Sequence, residues 1–410
     1  MTISVSIGKR EKAGARINVA QCLFLIFWVL KPFYFRPSGN IQVSDIVFAA
    51  SFGAWVIQNG WRIRVDVKER FFLLFLFCVF LINGLYYLRY QETEFLESCL
   101  YLLYNLFVIL EVRDLSHDRR FLKLLLYATA INFFVQLAVY RTDRGSYLYE
   151  RLRYMGTFND PNQFSFSMFS SFLLTVLLAS FFKDQEGHRR KLWPIVSMAL
   201  AAYFILLGNS AGMLLGLAAF AAALPFMFVY SERTPGILLI RYFAFILLAL
   251  MLFFLFVNGF PIQWIKAVFG EDSFFTVRLN EKLYSARTGG LMAFFSDRGI
   301  DKMVRYPQYL LFGAGDGLYT RFVDSSFEVH STLPGILFCY GLIPFCLLCR
   351  WIWDNLKSMS LTLLPIYLAL LVESVTLAHH RQPVFWMLIL LGALPFKDRG
   401  LRKYRIVKEI

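Results

Sequence analysis

The sequence predicts an all-α, polytopic integral membrane protein with about 12 transmembrane helices. Hydrophobic residues make up 58% of the 410 residues and charged residues only 17%, whereas a soluble domain carries about 25% charge. The apolar residues come in repeated runs of roughly 16–22 residues, the length of helix that crosses about 30 Å of hydrocarbon. These runs do not alternate with period two, as barrel strands do. Helices are therefore the structures that satisfy every backbone amide in lipid.

The apolar runs set the predicted spans, and the whole chain, 1–410, is expected to form a single transmembrane domain. The spans cover about residues 17–34, 41–58, 70–88, 95–112, 121–140, 162–182, 192–208, 211–230, 237–258, 333–349, 359–378 and 383–396. Two segments between spans are long. They are an outer loop at 141–161 and one large extracytoplasmic loop at 259–332, between spans 9 and 10. No small-residue cleavage site follows the first run, so we expect a retained first span.

Lysine and arginine counts predict that both termini are cytoplasmic. With the N-terminus inside and the spans alternating, 26 of the 42 Lys and Arg residues fall in cytoplasmic segments and 16 outside. Twelve of those 16 lie in the two long loops, where the rule is weaker, and the short outer loops are nearly bare. The net charge of +14 therefore indicates orientation in a membrane rather than binding to nucleic acid.

Several arginines and histidines fall at the predicted outer face, close to the ends of spans. They are Arg153, Arg278, Arg287, Arg298, Arg321, Arg381, His330, His379 and His380. Positive residues are normally depleted on the outer side of a membrane, so their presence there suggests a function. Binding of an anion such as phosphate is one such function, since arginine offers a planar fork of donors. The alternative is that long loops tolerate charge freely, and charge alone does not decide between the two.

The first outer segment places Arg153 ahead of the sequence Asn159-Asp160-Pro161-Asn162. This sequence is typical of a turn followed by a helix start, with side-chain acceptors for the first free amides. A helix N-terminus there can present its amides to an anion, which makes Asn159 and Asn162 candidate binding residues. The alternative is simply a capped span.

The large loop carries Arg278 and Arg287 and ends in two candidate motifs. The segment Gly313-Ala-Gly315-Asp316-Gly317 is weak evidence for a phosphate-binding loop, because no clear strand precedes it. His330, just before span 10, can act as a general base, since histidine changes charge near neutral pH. It can equally be a histidine at the membrane interface.

Glu373 lies within predicted span 11, and His379-His380-Arg381 follows it before span 12. An ionisable residue inside a span is a functional candidate that needs a partner. Arg381 is close enough in sequence to be that partner, so a structural ion pair between Glu373 and Arg381 is the alternative.

Several segments occur in an order that is typical of a known protein family. They are Arg-x-x-Gly-x-Phe-x-x-Pro-Asn before a span, a small-residue turn at 208–212, and a large outer loop. That loop holds an arginine, a Gly-x-Gly-x-Gly segment and a histidine that leads into the next span. Residues 150–395 thereby resemble the bacterial O-antigen ligase and polymerase superfamily, the Wzy-type polymerases and WaaL-type ligases.

The resemblance implies a metal-independent, inverting glycosyltransferase without a cofactor, acting at the outer face of the bacterial inner membrane. Its expected donor is an oligosaccharide on undecaprenyl diphosphate, and its other expected partners are membrane lipid and a chain-length regulator protein. His330 matches the family's loop-end histidine and Arg287 its loop arginine, so both are expected to be catalytic. The expected diphosphate-binding residues are Arg153, Arg381, Asn159, Asn162, Asp316 and Arg278.

Two departures from the family pattern bear on the choice within it. Ala211 follows Ser210 where relatives often carry arginine, and Ser331 follows His330 where ligases often carry asparagine. The second departure favours a polymerase of O-antigen, capsule or exopolysaccharide repeat units over a ligase that acts on lipid A-core or protein. A lipid-linked oligosaccharide flippase or transporter is the alternative of another class, and the clustering of candidates at one face disfavours it.

Overall fold

The computed structural model describes residues 18–37, 40–63, 65–148, 153–186, 192–229, 295–322 and 327–395, with isolated residues between 263 and 284. Over these residues the chain is mostly helical with almost no strand, which confirms the prediction of a helical fold. Predicted span 9 and most of the first half of the large loop, up to residue 294, lie outside the described residues.

The described helices are numbered in chain order. Their bounds are α1 Val19–Leu30, α2 Val43–Gln58, α3 Glu69–Tyr90, α4 Glu94–Leu115, α5 Arg119–Arg141, α6 Pro161–Glu186, α7 Leu192–Gly208, α8 Ala211–Val229, α9 Lys302–Arg305, α10 Tyr309–Phe312, α11 Thr332–Tyr340, α12 Leu342–Leu356, α13 Leu364–Ser374 and α14 Pro383–Leu391. Single 3-10 turns cover Tyr319–Arg321 and Leu361–Leu363. An antiparallel hairpin of β1 (Ser146–Leu148) and β2 (Arg153–Gly156) lies between α5 and α6, within the predicted outer loop.

Four helices in the described part of the chain are long and apolar enough to cross a membrane: α3, α4, α5 and α6. A fifth candidate is α12 together with the segment Leu361–Ser374, a pair that is bent by 118°. Shorter apolar helices are α1, α2, α7 and the first part of α8. The fold thus contains several helices suited to a membrane, and the number 12 and the orientation stay predictions.

The outward surface of α3 is apolar rather than polar. Only 28% of its most apolar stretch is buried inside the protein, against 83% for α6. The exposed side chains of α3 include Leu73, Leu74, Phe77, Phe80, Leu81, Leu85 and Leu88. A helix with such a face in water would present charged groups there. The surface of α3 therefore fits contact with lipid, while α6 lies at the centre of the helices.

Helix starts follow the capping signals in the sequence. The Asn18 side chain accepts a hydrogen bond from the Gln21 amide at 2.8 Å, and the Gln21 side chain accepts one from the Asn18 amide at 3.2 Å. At α6, the Asp160 carboxylate accepts from the amides of Asn162 and Gln163 at 2.7 and 3.0 Å. Two first-turn amides of α6 are therefore capped from within the chain.

Predicted span 10, at about 333–349, is two helices rather than one. α11 ends at Tyr340 and α12 begins at Leu342, with Gly341 between them at φ +80°. A Cβ atom on Gly341 would lie only 2.5 Å from the carbonyl oxygen of Leu311. The backbone of α10 therefore passes against this break, and a continuous apolar run cannot reveal such a crossing.

An aromatic cluster fixes α14 against α3 and α12. The indoles of Trp351 and Trp386 lie 5.7 Å apart, and the Phe72 ring lies 5.0 and 5.2 Å from them. The Trp386 indole N–H also donates to the carbonyl oxygen of His380 at 2.7 Å, and the Asn105 side chain of α4 donates to the same oxygen at 3.0 Å. These contacts hold the turn before α14, which carries His379, His380 and Arg381.

Candidate functional site

The Gly313–Gly317 segment is a backbone turn that packs against α3, α4 and α11. Gly313 and Gly315 have φ of +79° and +71°, a region that favours glycine. The Ala314 and Gly315 amides donate to the carbonyls of Phe338 and Cys339, and the Asp316 amide donates to the Asn83 side chain. Because the protein itself uses these three amides, they are not open to a phosphate.

The turn carries Asp316, which is 2% exposed and whose carboxylate is surrounded by donors. Arg381 donates to its two oxygens at 3.1 and 3.3 Å. The hydroxyls of Tyr319 and Tyr340 donate to it at 2.6 and 3.2 Å, and His380 Nε2 lies 3.8 Å away. Burial by itself raises the pKa of Asp316, but Arg381, His380 and Tyr319 lower it well below its usual range. Asp316 is therefore an ionised, internally paired carboxylate.

Arg381 joins Asp316 to a second carboxylate. The same terminal nitrogen that contacts Asp316 lies 3.0 Å from Glu328 Oε2. The negative charge of Asp316 raises the pKa of Arg381, and burial acts in the opposite direction. The Arg381 side chain is 32% exposed, and its buried Nε–H has no hydrogen-bond partner within the described ranges. The guanidinium is thus charged. One terminal nitrogen is bound by the two carboxylates, and part of the side chain is exposed at the surface.

Glu328 in turn reaches His330. Its Oε1 atom lies 3.4 Å from His330 Nδ1. Burial raises the pKa of Glu328, but the contact with His330 and the charge of Arg381 lower it below its usual value. The His330 amide donates to the carbonyl of Arg298 at 2.9 Å, and the imidazole, 44% exposed, stacks against the ring of Phe327. A continuous polar chain therefore runs from Asp316 through Arg381 and Glu328 to an accessible histidine.

Arg153 lies at a second place, where β2 meets α6 and α7. It is 4% exposed, and it donates to the Gly208 carbonyl at 3.1 Å and to the Asn162 side chain at 2.9 Å. Asn159 donates to the carbonyl of Arg36 at 2.8 Å, in the connection between α1 and α2. The structure thus brings Arg153 and Asn162 together, while Asn159 faces a different partner.

The partner of Glu373 differs from the one that the sequence suggested. Glu373 Oε1 lies 3.0 Å from His379 Nε2, whereas Arg381 contacts Asp316 and Glu328 instead. The His379 ring stacks on Phe166 of α6, with centroids 3.6 Å apart and planes 9° apart. The suggested pair of Glu373 with Arg381 is therefore wrong, because the turn after α13 directs Arg381 towards the Asp316 carboxylate.

The structure brings the described site residues together in two places and leaves one apart. Asp316, Arg381 and His330 share one polar chain, Arg153 and Asn162 form the second contact, and Asn159 bonds to the Arg36 carbonyl instead. Asp316 was expected to bind diphosphate, but its buried carboxylate holds Arg381, and a like charge does not attract a phosphate. Arg287 and Arg278 lie outside the described residues.

Sequence reasoning missed Glu328, which joins Arg381 to His330. A carboxylate two residues before a candidate base is a local signal that was available in the sequence. Tyr319 and Tyr340 were also missed, and their hydroxyls gave no signal, because tyrosines are frequent throughout the 410 residues.

Comparisons with family models, with curated proteins and with solved structures find no match to this chain. The resemblance to the O-antigen ligase and polymerase superfamily therefore rests on the residues quoted for it and on the order in which they occur.

Proposed function

We propose that the chain is an oligosaccharide repeat-unit polymerase of the bacterial inner membrane, with its site facing the periplasm. It would transfer a glycan from undecaprenyl diphosphate to a sugar hydroxyl of another lipid-linked repeat. The single observation that carries this proposal is the chain Asp316–Arg381–Glu328–His330, in which a cation and a candidate base share one carboxylate.

His330 is the proposed general base. A carboxylate beside Nδ1 favours the tautomer in which Nδ1 carries the hydrogen, which leaves Nε2 as the acceptor. Nε2 takes the proton of the acceptor hydroxyl as that oxygen bonds to the anomeric carbon of the donor. Glu328 then stabilises the positive charge that forms on the ring. The exposed fraction of His330, 44%, leaves room for a substrate to approach.

The bond between the anomeric carbon and the diphosphate oxygen breaks in the same step, and the diphosphate departs with the electron pair. The described cluster cannot bind this leaving group unaided, because Asp316 and Glu328 carry two negative charges against one from Arg381. A further cation is required, and Arg287 is the proposed one, since it matches the family's loop arginine. A dry site makes such stabilisation worth several kcal/mol, on the order of 3–4 for one donor.

A ligase would use the same chemistry with lipid A-core or protein as acceptor. A flippase has one observation in its favour, the fully buried Glu373 paired with His379 in α13 and the turn after it. Buried carboxylates of this kind relay protons in transporters. The polymerase is preferred, because Arg381 and His330 form their connected chain at the start of α11 and α14, outside the apolar helices.

The lipid-linked and surface glycans of a deletion strain separate these functions. The proposal expects single repeats at the surface, because delivery and ligation continue without polymerisation. Long chains stranded on undecaprenyl diphosphate indicate a ligase instead, and failure of outward delivery indicates a flippase. Complementation with the wild-type chain is the control, and it should restore the full ladder of lengths.

A further inference from the structure

Two arginines converge on one aromatic ring at the outer edge of the contact between α3 and α12. The rings of Phe72 and Trp351 pack against each other inside this contact, with centroids 5.0 Å apart. Their chain neighbours Phe71 and Arg350 are less buried and lie at its edge. The guanidinium carbons of Arg70 and Arg350 lie 4.8 and 5.6 Å from the centroid of the Phe71 ring. The ring thus holds two cations close together at the surface, although like charges repel.

Both guanidiniums keep donors for a ligand. Arg350 is exposed, and it uses its Nε–H for the Asp354 carboxylate at 3.1 Å. Asp354 also accepts a hydrogen bond from Lys357 at 2.7 Å, so two cations share its one negative charge. Arg70 is exposed, and no described residue accepts a hydrogen bond from its guanidinium. Together these four side chains carry a net positive charge.

The acidic residues at the start of α3 face another cation. The buried Glu69 carboxylate contacts the Arg113 guanidinium, and Asp66 Oδ2 lies 3.7 Å from Arg113 Nη1. Within the described ranges, neither carboxylate lies within ion-pair distance of Arg70. The positive charge at the edge of the α3–α12 contact is therefore not neutralised from this side.

Apolar side chains continue from each arginine along its own helix. On α3, the exposed Leu74 and Phe77 follow Arg70 at distances of four and seven residues. On α12, the exposed Ile343 precedes Arg350 by seven residues. Residues at these spacings share one face of a helix. Each arginine therefore lies at the end of a strip of exposed apolar surface, as a phospholipid headgroup lies at the end of its acyl chains.

The two arginines lie far from the candidate site along α3. The amide of Asp316 donates to the Asn83 side chain at 3.0 Å, and Arg70 precedes Asn83 by 13 residues, which is about 20 Å along a helix. The arginines thus lie at the opposite end of this span, which is the cytoplasmic end in the predicted orientation. Trp353, exposed near Arg350, fits a membrane interface, where tryptophan is enriched.

A lipid with an anionic headgroup matches both features of this surface. Guanidinium donors bind phosphate oxygens, and a single phosphodiester charge relieves the repulsion between two arginines. A zwitterionic headgroup brings its own ammonium, which the same arginines repel. A soluble anion gains nothing from the apolar strips, whereas acyl chains lie along them.

We propose that Arg70 and Arg350 form a binding site for an anionic phospholipid. Its phosphate contacts both guanidiniums, and its acyl chains lie on the exposed faces of α3 and α12. Phe71 holds the two arginines at the separation that one headgroup can bridge. This site is separate from the chain of residues that ends at His330, and it does not depend on the proposed polymerase function.

Native mass spectrometry of the purified full-length protein in detergent measures this binding. The probes are dioleoyl phosphatidylglycerol and dioleoyl phosphatidylcholine, which share their acyl chains, in separate titrations. We expect the wild type to bind phosphatidylglycerol more tightly. Arg70→Gln and Arg350→Gln should each weaken its binding about fivefold, which is the contribution of one basic residue at an anionic membrane surface, and the double variant about 25-fold. Binding of phosphatidylcholine should stay unchanged.

The double variant Arg119→Gln/Arg120→Gln is the matched control. It removes the same charge from two exposed arginines at the start of α5, and it should keep the affinity for phosphatidylglycerol. If the variants with Arg350→Gln do not fold, Arg70→Gln alone decides, because it breaks no described hydrogen bond. Equal affinity of the wild type for the two lipids, unchanged affinity in the Arg70 and Arg350 variants, or an equal loss in the α5 control would each overturn the proposal.

Discussion

Arg381 donates from one terminal nitrogen to both carboxylate oxygens of Asp316, at 3.1 and 3.3 Å, across 65 positions of sequence. This contact ties the glycine turn before α11 to the turn before α14. The same nitrogen reaches Glu328 at 3.0 Å, and Glu328 reaches His330. Asp316 is therefore linked to the candidate base His330 through Arg381 and Glu328.

Replacement of Asp316 by asparagine should destabilise the protein at neutral pH. The change leaves the partly buried Arg381 with one carboxylate fewer, and removal of one partner of a buried pair costs about 3–5 kcal/mol. We expect a value near the lower limit, because the Arg381 side chain is 32% exposed. The measurement is the apparent melting temperature of the purified protein in detergent at pH 7.

The pH dependence of that difference follows from the lowered pKa of Asp316. The pair stabilises the fold fully above the ordinary aspartate pKa of about 3.9. This stabilisation declines as the pH falls below that value, towards the lower pKa in the folded state. The difference between wild type and Asp316→Asn should thus shrink below about pH 4. Asp66→Asn, at the half-exposed partner of Arg113, is the control and should change stability by less than about 1 kcal/mol. Equal effects of the two substitutions would contradict a structural role for the Asp316 pair.

Replacement of Glu328 by glutamine should slow glycan transfer and leave the affinity for substrate nearly unchanged. Glutamine keeps the shape but removes the charge that stabilises protonated His330. We expect kcat to fall by less than the about 10²–10⁴-fold that a general base supplies, with KM within about twofold of wild type. Steady-state rates on reconstituted protein separate the two constants, and Glu328→Asp should recover part of kcat. A rise in KM with kcat unchanged would instead place Glu328 in substrate binding.

Replacement of Gly341 by alanine should disrupt the break between α11 and α12. The residue has φ +80°, and a Cβ atom would lie 2.5 Å from the Leu311 carbonyl. Such strain costs on the order of 1–3 kcal/mol. Gly53→Ala is the matched control, because no atom lies within 4 Å of its added Cβ and the residue is helical. The melting temperature should fall for Gly341→Ala and stay the same or rise for Gly53→Ala. Equal melting temperatures would contradict the close approach of the Leu311 carbonyl to Gly341.

Features that depend only on residues close together in the sequence could be predicted. Asn18 and Asp160 are capping residues as their types indicate, and α3 to α6 lie where apolar runs of sufficient length occur. The break at Gly341 could not be predicted, because it results from a backbone that crosses from residues 309–312. Hydropathy averages over a run and carries no information on what passes beside it.

The sequence predicted several residues of the candidate site but not which of them contact each other. His330 and Arg381 were identified because charged residues at the ends of apolar runs stand out. The partner of Arg381 could not be identified in the same way. Asp316 lies 65 residues away, in a segment whose glycines suggested a phosphate-binding loop. Glu328 lies two residues before His330, but a carboxylate does not fit a site expected to bind an anion, so its sequence position did not indicate a role.

The central claim is that His330 is the base of a glycan transfer, and one histidine variant tests it most directly. His330→Ala, expressed in the deletion strain at wild-type membrane levels, should leave single repeats without the long-chain ladder. His117→Ala is the control, because that exposed histidine contacts only the nearby Asp114 carbonyl among the described residues, and it should give the full ladder. Arg287→Ala should match His330→Ala. An unchanged ladder of chain lengths in His330→Ala, at normal protein level, would contradict the account.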